Sequence, residues 1–124
     1  MMNRILESAA FLRSKGITEP EIGIILGTGL GKLADQIEPE IEIDYEKIPH
    51  FPISTVEFHH GILIYGMLRG KKVLVMKGRF HTYEGYTTQE ITLPIRVMKV
   101  LGIRSLLVSN ACGAMNTAFK KGSL

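Results

Sequence analysis

Apolar positions follow different rhythms along this chain. In the first sixteen residues Ile5, Ala9 and Leu12, with Leu6 beside them, fall on one stripe at helical spacing, and Gly16 follows as a stop. "EIGIILG" (Glu21 to Gly27) is short, β-branched and almost wholly apolar, the pattern of a strand buried on both faces in a parallel sheet. "TGLGKLADQI" then reads as a glycine turn opening into a short helix. "EIEIDYEKI" alternates, with Ile41 and Ile43 on one side, and predicts a half-exposed strand. Pro49 and Pro52 break regular structure around His50 and Phe51.

"GILIYGML" and "KKVLVMKG" flank Arg69-Gly70, a hairpin signal with glycine available for positive φ. "TTQEITLPIRVMKVLG" predicts a helix. Thr87 and Glu90 have capping-box spacing, Gly102 is a stop, and Pro94 is expected to kink or restart it. "IRSLLVSNACGAMN" reads as another buried strand running into small residues. The order α, β, α, hairpin, α, β predicts one α/β domain with a mixed, twisted sheet flanked by helices.

Composition narrows the function classes. The 124 residues are 45% hydrophobic and 22% charged, with apolar residues spread throughout, which excludes a disordered chain. The net charge is +3 and the basic residues do not cluster, which argues against a nucleic-acid surface. Cys112 is the one cysteine, so no intrachain disulfide forms. Glu7 and Arg13 interrupt any leader-like apolar core, and no apolar run has the length of a membrane span. The expectation is a soluble, cytoplasmic protein.

Candidate chemistry gathers where strands end. "GTGLG" (Gly27 to Gly31) lies between a strand and a helix start, where backbone N–H groups approach an anion and Thr28 offers a hydroxyl. It is not the dinucleotide fingerprint, because Lys32 stands where a glycine is needed, and it is not a P-loop. The plain alternative is a tight turn without a ligand. "KGRFHTYEGY" (Lys77 to Tyr86) brings a guanidinium, an imidazole, a phenol and a carboxylate together between two glycines. Arg79 suits a two-pronged grip on phosphate, and His81 a donor to the same anion or to a sugar hydroxyl. Glu84 is placed to orient that imidazole and favour its charged form, and Tyr83 offers a hydroxyl and a flat face. The alternative here is a polar loop whose groups satisfy one another. His59 and His60 face opposite ways if extended and make a poor metal pair; no metal site is expected. Cys112, with no base assigned to it, reads as a small packed residue.

"ILGTGLG", "IPHFPISTVEFHHG", "GRFHTYEGY" and "VSNACGAMN" resemble, in order and spacing, the trimeric class of purine nucleoside phosphorylases, over essentially the whole chain. The resemblance implies a phosphorylase-like fold. It also implies a pentosyltransferase of purine salvage: reversible phosphorolysis of purine (deoxy)ribonucleosides to free purine and (deoxy)ribose 1-phosphate. Phosphate is the co-substrate and no cofactor is implied. Carried over by motif, Thr28, His59, Arg79, Phe80, His81 and Ala111 would hold phosphate. Tyr83, Asn110, Ala111 and Cys112 would meet the nucleoside. His81 would be catalytic, with Glu84 supporting it. The implied assembly is a homo-oligomer, the family's trimer, or a pairing with a chain that carries the rest of the fold.

Three departures stand out. Phe58 and His60 replace the small residues usual beside the motif's histidine. "NACGA" replaces "NAAGG", putting Ala114 where glycine is usual. Family members also continue for a second half, which supplies the residues that read and stabilise the leaving purine. Residues 1–124 are thus expected to be a truncated, partial domain with limited competence alone, and base preference is not legible. Two other classes remain open: a non-catalytic anion-binding or assembly module that keeps the fold, and, less well matched, a dinucleotide-binding domain.

Overall fold

The computed structural model describes residues 1–124 except 28–29, 54–60, 111 and 124. Helix α1 spans Met2–Ser14, β1 Ile22–Leu26, β2 Glu38–Asp44, β3 Ile62–Leu68, β4 Lys71–Lys77, α2 Thr88–Val100 and β5 Ser105–Val108. The five strands form one mixed sheet in the order β2-β3-β4-β1-β5. β2, β3 and β4 run antiparallel to their neighbours, while β4, β1 and β5 are parallel. The hairpin forms at Arg69-Gly70, both of which adopt positive φ, as a two-residue primed turn requires.

Alternation along the strands builds two apolar layers. Ile25, Ile43, Leu63, Tyr65, Leu74 and Met76 pack with Ile5, Ala9 and Leu12 of α1 and Leu93, Val97 and Met98 of α2. Ile24, Ile64, Val73 and Val75 pack with Ile37, and with Leu33 and Ala34, on the other face. Both α-helices therefore lie on one face. The sheet is mixed and flanked by helices as expected; its other face is covered by a short 3-10 turn, Gly31–Gln36. The glycine-rich segment opens into that turn rather than into an α-helix.

Three further expectations are corrected. Leu6 is exposed and Ser8 takes its place on the buried side of α1, where its hydroxyl donates to the carbonyls of Arg4 and Pro49 at 2.9 and 2.6 Å. With the His50–Glu7 pair at 2.5 Å, this fastens the proline-bounded loop to the helix. Helix α2 passes through Pro94 as a single element: the ring is buried, and the carbonyl that its missing N–H leaves unpaired belongs to exposed Glu90. β5 is not buried. Leu107 is 58% exposed, and Leu106 and Val108 are exposed on the opposite side. Its outer edge carries no strand among the described residues. The far edge, β2, is guarded by Pro39, a register shift and three exposed glutamates, the usual protection of a free edge, which β5 lacks.

The capping box predicted for α2 is present. Glu90 N–H donates to Thr87 Oγ1 at 3.2 Å, and Thr87 N–H donates to Glu90 Oε2 at 2.7 Å. The Thr87 N–H, and the Thr87 hydroxyl donating to the same oxygen at 2.9 Å, hold the Glu90 carboxyl below its usual range. A depressed carboxyl pKa contributes stability above the unfolded-state value of about 4.5 and loses it as pH falls through the folded value. Glu90→Gln is expected to flatten the stability loss below about pH 4.5 while leaving the slope near neutrality unchanged. Denaturant unfolding across pH checks it.

Candidate functional site

The C-terminal ends of the three parallel strands come together. β1 ends at Leu26, paired with Lys77 of β4, and Ile25 pairs with Val108 of β5. The next residues, Gly27, Gly78-Arg79 and Ser109, therefore emerge side by side. Gly27 N–H donates to Ser109 Oγ at 2.9 Å, and Ser109 Oγ donates to the Ile25 carbonyl at 3.2 Å. Arg79 Nη1 donates to the Ser109 carbonyl at 3.0 Å. The glycine-rich turn, the Arg79 loop and the start of "SNACGA" thus meet, as the ligand end of an open α/β sheet does.

The fit at Gly27 is tight. A Cβ there would lie 2.6 Å from the Ser109 carbonyl oxygen and 3.1 Å from Asn110 Cα, so only glycine lets the two strand ends approach this closely. Ser109 is the residue that sequence reasoning passed over. The available signal was its place directly after an apolar run, level with the glycine that ends β1.

The loop after β4 arranges its functional groups around His81. The backbone N–H of His81 donates to Glu84 Oε2 at 2.7 Å, and the ring Nδ1 lies 3.3 Å from the same oxygen. Glu84 is only 6% exposed in its side chain, so a carboxylate screened from water fixes the ring. Arg79 Nε donates to His81 Nε2 at 3.4 Å. That contact makes Nε2 the acceptor and leaves the proton on Nδ1, facing Glu84. Tyr83 stacks on the imidazole, centroids 4.7 Å apart and planes 18° apart, with its other face in solvent at 80% exposure. Arg79, His81, Tyr83 and Glu84 therefore form one connected group, closed at its end by Gly85 with φ +92.

Phe80 lies elsewhere. Its ring is buried in the core, 5.2 Å from Tyr45 and 5.7 Å from Tyr86. It anchors the loop from below, between the two polar residues that face out, as strand-like alternation demands. The Tyr86 hydroxyl is the one buried side-chain polar atom without a partner among the described residues, and burial first, then Glu84 and Glu90, push its pKa up.

Asn110 is exposed beside Ser109, and Cys112 is a free, exposed thiol rather than a packed residue. The reason is the same as for β5: nothing among the described residues covers that strand's end. Thr28, His59 and Ala111, and with them Phe58 and His60, lie outside the described residues.

Residues 21–124 match the family model of the phosphorylase superfamily, and the chain belongs to that family. Among curated relatives it is 55% identical to purine nucleoside phosphorylase 1 of Geobacillus stearothermophilus, over 99% of this chain and 46% of that protein. It is 52% identical to purine nucleoside phosphorylase 1 of Bacillus subtilis, over 100% of this chain and 46% of that one. The fold superposes on Schistosoma mansoni purine nucleoside phosphorylase in complex with adenosine with a TM-score of 0.87 at 50% identity, covering 95% of this chain and 41% of the other. A purine nucleoside phosphorylase in complex with ribose-1-phosphate gives 0.89 at 51%, covering 96% and 44%. The chain spans a little under half the length of the relatives it matches.

Proposed function

We propose that residues 1–124 are a partial domain carrying the phosphate-handling part of a purine nucleoside phosphorylase, a soluble, cytoplasmic pentosyltransferase of purine salvage. The observation that supports this best is the meeting of Arg79, the His81–Glu84 pair and the ends of β1 and β5 at the C-terminal end of the parallel strands. Phosphate would take the Arg79 fork in place of the Ser109 carbonyl and displace the Arg79 Nε contact from His81, whose ring, with a proton on Nε2, would donate to it. Thr28, His59, the Phe80 segment and the Ala111 amide would complete the cradle. Tyr83 would lie against the ribose, and Asn110 to Cys112 would form part of the floor under the nucleoside.

The reaction is a displacement at the anomeric carbon. A phosphate oxygen forms the new C–O bond as the glycosidic C–N bond breaks, and the bonding pair leaves with the purine, which takes up a proton. Positive charge grows on the ribosyl ring as the bond lengthens. A phosphate dianion fixed beside that carbon stabilises this charge and is aligned for attack. The groups that receive the purine are assigned to the further part of the fold that the relatives possess, so full turnover is proposed for an assembly. The exposed apolar edge of β5 supports association, either with a second copy or with a chain bearing the rest of the fold.

The open end of the sheet also favours a second reading, an anion-binding or assembly module without turnover. Phosphorolysis of inosine and guanosine, read as free purine, separates the two. Phosphate-dependent release of purine supports the enzyme. Phosphate binding by a folded sample with no release supports the module. Absence of phosphate binding overturns both.

A further inference from the structure

Tyr45 belongs to none of the motifs that carry the site, yet it holds the root of the site in place. It opens the 3-10 turn Tyr45–Lys47 that follows β2 and is 3% exposed. Its hydroxyl donates to the Gly78 carbonyl at 2.5 Å. Its backbone N–H donates to the Gly61 carbonyl at 3.0 Å. Its ring packs tilted against Phe51 and Phe80, at 5.9 and 5.2 Å.

The two glycines mark where the chain enters β3 and leaves β4. They lie against each other: a Cβ on Gly78 would meet Gly61 Cα at 3.4 Å. Gly78 has φ +103, a conformation that turns the chain sharply out of β4 into Arg79. At Gly61 a side chain would run into the Tyr45 ring, so ring and glycine occupy one slot. The Gly78 carbonyl shares its peptide plane with the Arg79 N–H. Whatever fixes that carbonyl therefore fixes the plane from which the Arg79 side chain departs.

We propose that Tyr45 is a positioning residue for the anion site: its hydroxyl, by holding the Gly78 carbonyl, sets the direction of Arg79 and through it the Arg79–His81 contact. This rests on the phosphate reading given above. Burial pushes the phenol well above its ordinary range, so it remains a donor throughout any working pH. On its other side the same residue fixes Gly61, the residue that closes the segment containing His59.

Tyr45→Phe tests this, because it keeps the ring that fills the slot and removes only the donor. The readouts are phosphate affinity and the NMR signals of Arg79 Nε–H and the His81 ring, each compared with the unsubstituted chain. Ile43→Val is the control: it thins the same buried cluster two residues earlier in the chain and leaves the Tyr45 hydroxyl in place. Tyr45→Phe is expected to weaken phosphate binding about tenfold and to shift the Arg79 and His81 signals before phosphate is added. Ile43→Val is expected to lower the melting temperature and leave both readouts in place. Unshifted signals with unchanged affinity in Tyr45→Phe, or equal loss of affinity in both variants, would overturn the proposal. If the unsubstituted chain binds no phosphate, the functional reading fails, while the Arg79 and His81 signals still decide the role of Tyr45.

Discussion

Replacing Arg79 by alanine is expected to weaken phosphate binding by about a hundredfold or more. A hydrogen bond to a charged group contributes about 1.5–3 kcal/mol, and the guanidinium presents two to a phosphate, so the loss exceeds one factor of ten per bond. The same side chain now donates to the Ser109 carbonyl and to His81. Its removal therefore also loosens the joint between β4 and β5, at a stability cost of about 1 kcal/mol. Arg79→Lys keeps the charge and loses the fork, and it should recover only a minor part of the affinity. Phosphate titration of the three proteins under one ionic strength checks the order. Affinity in Arg79→Ala within a few fold of the parent would remove the guanidinium from the account.

Gly27→Ala is expected to give the largest loss of stability among the described glycines of the glycine-rich turn, about 3 kcal/mol. The new methyl meets backbone on both sides, the Ser109 carbonyl and Asn110 Cα, so no side-chain rotation relieves it. The end of β5 must move, and with it the Gly27–Ser109 bond and the acceptor of Arg79. Gly31 provides the contrast. A Cβ there meets nothing within 4 Å, so Gly31→Ala should be neutral or stabilise by up to about 1 kcal/mol through the unfolded chain. Denaturant unfolding of the pair measures both. Equal effects at the two positions would mean that strand convergence does not govern this turn.

These two glycines show what a sequence reveals and what it conceals. Both belong to "GTGLG" and look equivalent in the string, yet one is fixed by a neighbour more than eighty residues away and the other by nothing. Local patterns were legible. The apolar run of β1, the alternation of β2 with Ile41 and Ile43 on one side, the Arg69-Gly70 turn and the Thr87–Glu90 box all depend on residues close in sequence. The His81–Glu84 pair was legible for the same reason, since three residues separate its members.

What the string concealed depends on distant partners. Leu106, Leu107 and Val108 read as buried because they are apolar, but burial needs a cover, and the described residues provide none beyond β1. Pro94 read as a break because a proline costs a helix one bond, but that cost is offset by a ring buried in the core. Ser8 and Tyr45 act through the carbonyls of Pro49 and Gly78, and no local pattern marks a residue that serves a distant backbone. The resemblance of motifs assigned the outward-facing groups. It did not show that Phe80 is the loop's anchor, which is a matter of packing.

The most direct test of the central claim is a phosphate titration of the unsubstituted chain, followed through the His81 ring signals, with Arg79→Ala run beside it. The account predicts saturable binding at one site that moves the His81 signals and is lost in Arg79→Ala. Phosphate that leaves His81 unmoved, or that binds Arg79→Ala as well as the parent, would contradict the placing of the anion at the meeting of β1, β4 and β5.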